Sequence, residues 1–145
     1  MKLSRKGQYS VKAMLDLSLQ PGYGPASVRA IAQRQDLPAP YLEKLLIQLR
    51  RANLVISVRG SQGGYRLAKP PQAISLGSIL EAVGESIEML SDFDRHAAED
   101  WVTALVWERL NRKVRDFVFT LTLEDLYFDA RSRQASQGDQ TTFII

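Results

Sequence analysis

Between Ser27 and Leu54 the chain places two helical patterns on either side of a four-residue break, which leaves room only for a sharp turn. Val28, Ile31 and Ala32 form the apolar side of the first helix, and Ser27 stands where an N-cap is needed. The break is Gln35, Asp36, Leu37 and Pro38. Asp tolerates left-handed backbone better than most residues, Leu37 can tuck between the helices, and Pro40 suits the first turn of the second. Leu42, Leu45, Leu46 and Leu49 then make one continuous stripe on that second helix. Two short amphipathic helices joined this tightly are helix-turn-helix grammar.

The next segment narrows the architecture. Val55 to Leu67 reads V-I-S-V-R-G-S-Q-G-G-Y-R-L, two short apolar runs around a glycine-rich loop, which predicts a β-hairpin. The expected fold is therefore mainly α with a small β-hairpin wing (α+β), a winged helix-turn-helix domain. A first helix spans Gly7 to Leu19, the Pro21 to Pro25 segment ends it, and Lys69, Pro70 and Pro71 close the wing. Ser75 caps a helix presenting Leu76, Ile79, Leu80 and Val83, with Gly84 near its end.

The longest helical pattern runs from about His96 to Leu121. Trp107, Leu110, Val114, Phe117 and Leu121 recur at spacings of 3, 4, 3 and 4, the seam of a coiled-coil-like contact. With Trp101, Leu105 and Val106 added, this helix carries more apolar surface than it can bury alone, so a second copy is the expected cover. Packing on its own winged domain is the alternative. Thr122 to Asp125 resembles a capping box and predicts a short last helix over Leu123 to Arg131. The organisation is then a winged domain at 1–73, a connecting helix and loop at 74–95, a dimerisation helix with the short helix at 96–131, and a polar tail at 132–145. That tail reads as mobile, although Phe143, Ile144 and Ile145 could dock.

Charge separates along the same lines. Of the 145 residues, Met1 to Ala73 holds 12 Lys and Arg against 3 Asp and Glu, whereas Ile74 to Ile145 holds 7 against 13. The net charge of +3 hides a strongly basic half. A positive field confined to one half is the footprint of a nucleic-acid-binding domain. Enzyme chemistry has little support: there is no cysteine, His96 is the only histidine, and Gly60 to Gly64 lacks the Gly-Lys-Ser/Thr ending of a phosphate-binding loop. No apolar run is long enough to cross a membrane, and Lys2, Ser4, Arg5 and Lys6 open an amphipathic helix rather than a signal peptide, so a cytoplasmic protein is expected.

Double-stranded DNA is thus the expected partner. The minor groove is roughly 6 Å wide and most negative where narrow, so it admits an Arg with little beside it. Arg59 would enter it, with Gly60, Gly63 and Gly64 supplying room; the alternative is that the glycines serve only the turn. On the second helix, Ala39, Pro40, Tyr41 and Glu43 stand at or near the first turn, which recognition helices use on base edges. Ala39 and Pro40 offer apolar contact, Glu43 can accept from cytosine, and Lys44, Arg50 and Arg51 suit phosphates. A winged-helix adaptor that binds protein partners is the competing function, distinguished by its lack of steep salt dependence.

M-K-L-S-R-K-G-Q-Y-S-V-K-A-M-L-D-L at the start, A-P-Y-L-E-K-L in the second helix and V-R-G-S-Q-G-G-Y-R-L in the hairpin together resemble the Rrf2 family of bacterial winged helix-turn-helix transcription regulators, from Met1 to about Leu123. The resemblance implies a homodimer on a palindromic promoter operator, with Arg59 in the minor groove and Ala39, Pro40, Tyr41 and Glu43 near the major groove. The dimer interface would include Trp101, Leu105, Trp107, Leu110, Val114, Phe117 and Leu121. Several family members hold an iron–sulfur cluster through three cysteines before the long helix. Matching the family's late A-L-W-x-x-L segment to Leu105, Val106, Trp107 and Leu110 puts Trp101 where the last cysteine falls and Ala104 where a histidine ligand often sits. With no cysteine in the chain, a conventional thiolate-ligated cluster is excluded. No cofactor is expected, and any effector is unidentified. Asp92, Asp94, His96, Glu99 and Asp100 gather possible metal ligands, but acidic groups at a helix start are better explained by the helix dipole, and no metal is expected.

Overall fold

The computed structural model describes residues 2–88 and 93–143. Helix α1 spans Arg5–Leu19, followed by a 3-10 turn at Pro21–Tyr23, α2 at Val28–Gln35 and α3 at Ala39–Arg51. Strands β1 (Val55–Val58) and β2 (Gly64–Leu67) form the hairpin; α4 (Leu76–Ala82), α5 (Ala98–Thr120) and α6 (Leu123–Phe143) follow.

Local chemistry explains the boundaries. The Ser27 hydroxyl accepts from the Ala30 N–H at 3.1 Å and opens α2. Asp36 closes it in left-handed backbone, φ 54° and ψ 54°, as the turn requires. Leu37 is buried directly after, with its N–H on the Ala32 carbonyl at 2.9 Å. The same logic opens α4, where Ser75 Oγ accepts from the Ser78 N–H. At α6 both halves of a capping box are present: the Thr122 N–H donates to Asp125 and the Asp125 N–H donates to Thr122 Oγ1.

The core joins α1, α2, α3 and the hairpin. Met14 and Leu17 of α1, Ile31 of α2, and Leu42, Leu45, Leu46 and Leu49 of α3 are buried in one cluster with Val55, Tyr65 and Leu67. The strands pair antiparallel, Val55 opposite Leu67 and Val58 opposite Gly64. Ala26 adds a bridge on the outer side of β2, exchanging hydrogen bonds with Tyr65 at 2.8 and 2.9 Å. The base of the wing is thus held to the chain entering α2.

Two further ties fix the helices. Asp16, buried in α1, accepts two hydrogen bonds from the Arg34 guanidinium at 3.0 and 2.8 Å and one from Gln35 at 2.9 Å. Lys12 Nζ donates to the Gln35 carbonyl, so α1 holds the last turn of α2 by side chain and backbone together. Leu76 and Leu123 close the second tie, their N–H groups donating to the carbonyls of Leu121 and Ile74, both at 2.8 Å. This bridge pins the α5–α6 junction to the start of α4. Gly77 lies so close to Phe119 that a Cβ there would come within 2.7 Å of the ring.

The last helix differs from expectation in length. It continues past Arg131 to Phe143, through much of the segment read as a tail, and no proline interrupts it. Ile144 and Ile145 lie outside the described residues, and so do the side chain of Phe143 and the whole of Asp92.

The Asp16 cluster has an asymmetric energetic consequence. The Asp16 side chain is 2% exposed and that of Arg34 40%. Removing the arginine leaves a buried carboxylate without its counter-charge, on the Gln35 amide alone, whereas removing the carboxylate's charge frees a guanidinium that water can reach. Arg34→Ala should therefore cost about 2–3 kcal/mol of folding stability and Asp16→Asn about 1–2 kcal/mol in urea unfolding. Equal or reversed costs would refute this account of the pair.

Candidate nucleic-acid interface

Burial of the leucine stripe decides what α3 shows to solvent. Pro40, Tyr41, Glu43, Lys44, Gln48, Arg50 and Arg51 are exposed, whereas Ala39 is half-buried and packs against the core. Of the residues expected near base edges, Pro40, Tyr41 and Glu43 are thus the freely presented ones. Tyr41 is steadied by Tyr9 of α1, edge to face with ring centroids 5.9 Å apart.

The hairpin loop runs from Arg59 to Gly63, between β1 and β2. Arg59 is exposed at its start. Among the described residues, no hydrogen bond or ion pair engages the side chains of Glu43, Lys44, Arg50, Arg51 or Arg59. A cation left without an internal partner is available to an external anion.

The glycines divide between two purposes. Gly60 has φ 115° and open space around it, so it leaves the loop tip unobstructed. A Cβ at Gly63 would run into the Val58 carbonyl oxygen, and one at Gly64 into that of Ala26. Close backbone approach, within the wing at Gly63 and to the chain entering α2 at Gly64, requires glycine at both positions.

Electrostatics around the motif are simple. Hydrogen bonding to Asp16 raises the Arg34 guanidinium above its ordinary value, against the opposing effect of burial. Arg34 therefore stays charged and committed to the scaffold. Three further cations, Arg5 at the start of α1, Arg29 in the first turn of α2 and Arg66 on β2, are exposed without an internal partner among the described residues. Only their share in the basic half marked them in the sequence.

The expected interface residues on α5 do not all face the same way. Trp101, Leu105, Leu110 and Phe117 are exposed, Val114 and Leu121 are half-buried, and Trp107 is 38% exposed. Val102, absent from the expected seam, is 63% exposed and belongs with Val106 to the open face. Ala104 and Val118 are the buried residues that seat the helix on its own chain.

Among the described residues no three His, Cys, Asp or Glu side chains are gathered to hold an ion. Asp100 instead turns back to accept from the N–H groups of His96 and Ala97 at 3.2 and 3.0 Å, capping the helix. Arg95 pairs with Glu108 and stacks over Trp101 at 5.5 Å from the ring centroid. The residues present do not fit a cysteine-ligated iron–sulfur cluster: the donor type is missing from the sequence, and the position matched to the last thiolate is Trp101.

Comparison with known proteins agrees with this geometry. Residues 3–129 match the Rrf2 family model, described as an iron-dependent transcriptional regulator. A Synechocystis sp. protein, slr0846, described as a candidate HTH-type transcriptional regulator, is 57% identical over 147 residues, covering all of both chains. The solved structure of T. potens IscR has TM-score 0.76 and 43% identity over 92% of this chain and 91% of its own. That of CymR, the global cysteine regulator of B. subtilis, has TM-score 0.79 and 35% identity over 88% and 96%. With a matched family model across most of its length and the winged helix-turn-helix in place, the chain belongs to the Rrf2 family of transcriptional regulators.

Proposed function

We propose that the chain is a sequence-specific DNA-binding regulator that acts in the cytoplasm as a homodimer on a palindromic operator. The observation that carries this reading is the set of unpartnered side chains on one motif: Glu43, Lys44, Arg50 and Arg51 on α3 and Arg59 on the wing. Pro40, Tyr41 and Glu43 address base edges in the major groove, Lys44, Arg50 and Arg51 bind phosphates, and Arg59 enters the minor groove. The regulator relatives favour DNA over a protein-binding adaptor.

Dimerisation rests on α5. Its 23 residues span about 35 Å, and Val102, Val106, Leu110 and Phe117 form an exposed apolar strip flanked by Trp101 and Leu105. Such a strip on a helix is expensive to leave in water. Its ends differ in charge, with Glu99 and Asp100 in the first turn and Arg109, Arg112 and Lys113 outweighing Asp116 in the second half, where Arg115 is paired with Glu81 of its own chain at 3.6 Å. Two copies crossing antiparallel about a two-fold axis bring acidic start against basic second half, and the two recognition helices onto half-sites of one palindrome.

Selection from a random double-stranded DNA pool tests the whole reading; a recovered palindrome is expected, and a folded dimer that enriches no motif contradicts it. Arg59→Ala should lower the ratio of operator to scrambled-duplex affinity by about tenfold or more while leaving the dimer intact. An unchanged ratio in fluorescence anisotropy would remove the wing from recognition. Lys44→Ala should flatten the log–log salt dependence by about two units per dimer, since each protomer then neutralises one phosphate fewer. The double variant Val102→Glu/Val106→Glu is expected to sediment as a folded monomer, and a dimer of undiminished stability would exclude this strip as the interface.

A further inference from the structure

A cleft of about 350 Å³ lies between the C-terminal end of α1, the 3-10 turn that follows it and one face of α6. None of the proposed DNA contacts lines it. Its volume is within the roughly 300–1,000 Å³ of small-molecule sites. Ser18 and Tyr23 form one wall; Glu124, Tyr127, Phe128 and Arg131 form the other.

The α6 wall has an ordered chemistry. Positions 124, 127, 128 and 131 share one helix face, so a carboxylate, two aromatic rings and a guanidinium follow one another along it. Tyr127 and Phe128 meet edge to face at 5.3 Å. Glu124 has no hydrogen-bond or ion-pair partner among the described residues, and Arg131 has only a 3.5 Å contact to Gln134 on its own helix. The two charges stand about 10 Å apart along the helix axis, too far for a direct pair at backbone level. Across the cleft Tyr23 is held in left-handed backbone, φ 63°, rare for a bulky residue. The negative end of the α1 dipole adds to the field of Glu124 and favours a cation on that side.

We propose that this cleft binds a small zwitterion of the amino-acid class, with its ammonium on Glu124, its carboxylate on Arg131 and its apolar body against Tyr23, Tyr127 and Phe128. A simple anion would leave Glu124 unmatched, and a simple amine would leave Arg131 unmatched. The site also adjoins the DNA-binding motif. Ser18 Oγ donates to the Leu15 carbonyl at 2.6 Å, Gln20 Nε2 donates to the Asp16 carbonyl at 3.2 Å, and the Asp16 side chain holds Arg34 and Gln35 just before the motif's turn. A ligand drawing α6 onto this end of α1 bears on the segment that positions α2 and α3. This regulatory consequence rests on the DNA-binding reading, whereas ligand binding does not.

The test is calorimetric titration of the full chain, without DNA, with each common L-amino acid in turn. For the amino acid that binds, the amine lacking its carboxylate and the acid lacking its ammonium serve as controls. At least one amino acid should bind with millimolar or tighter affinity, and each control should weaken binding about tenfold or more. Glu124→Gln and Arg131→Gln should each do the same without lowering the melting temperature. Binding by no amino acid, equal binding of the controls, or unchanged affinity in both folded variants would overturn the proposal. Failure here leaves the DNA-selection result standing, and failure to select DNA leaves this titration standing.

Discussion

A helix of thirteen residues has one stripe to bury, and in α3 that stripe is four leucines that are almost wholly removed from water. Each contributes on the order of 2 kcal/mol of burial free energy, enough to fix the rotation of the helix about its axis. Once the rotation is fixed, the opposite face can only be Tyr41, Glu43, Lys44 and Gln48. The outward display follows from the inward packing. Leu54 and Val55, buried immediately after α3, carry the same constraint into the hairpin and set where Arg59 emerges. The bridge from Ala26 to Tyr65 then ties the base of the wing to the chain entering α2.

Much of this was legible because it is local. Caps, the left-handed Asp36 and the buried Leu37 depend on a few consecutive residues, and the sequence states them directly. The Asp16 cluster is long-range: its partners lie 18 and 19 residues away, and no spacing rule pairs an acidic residue in one helix with a base in the next. The split among the glycines was hidden for a similar reason, since the obstruction at Gly64 is a carbonyl of Ala26, far away in sequence. The extension of α6 was obscured by composition. Ser, Thr, Asp and Gly have modest or poor helix propensity, and the polar run after Ser132 carries no apolar period to announce a helix.

The α5 seam shows a subtler limit. A heptad pattern reports which residues are apolar on one side of a helix, but α5 has two apolar sides. Ala104 and Val118 face its own chain, while Val102, Val106, Leu110 and Phe117 face outward. Trp107 and Val114 lie between them. A pattern search that sums both sides finds an average direction, which is why Val102 escaped it. Small buried residues such as Ala104 mark the inner side without adding to an apolar stripe that a pattern search would weigh.

The missing thiolates change what can hold the segment before α5. A metal site imposes ligand distances within a few tenths of an ångström and couples loop order to metal and redox state. Arg95 on Glu108 and Trp101, with Asp100 capping the helix start, imposes much looser geometry. Exposed ion pairs and cation–π contacts are worth only about 0.5–1 kcal/mol each. Contacts of this kind at Arg95 and Asp100 are salt-sensitive and indifferent to thiol oxidation. Signal reception is therefore better sought where the chain does have an unmatched pair of charges beside an aromatic wall, at the end of α1 by Glu124 and Arg131.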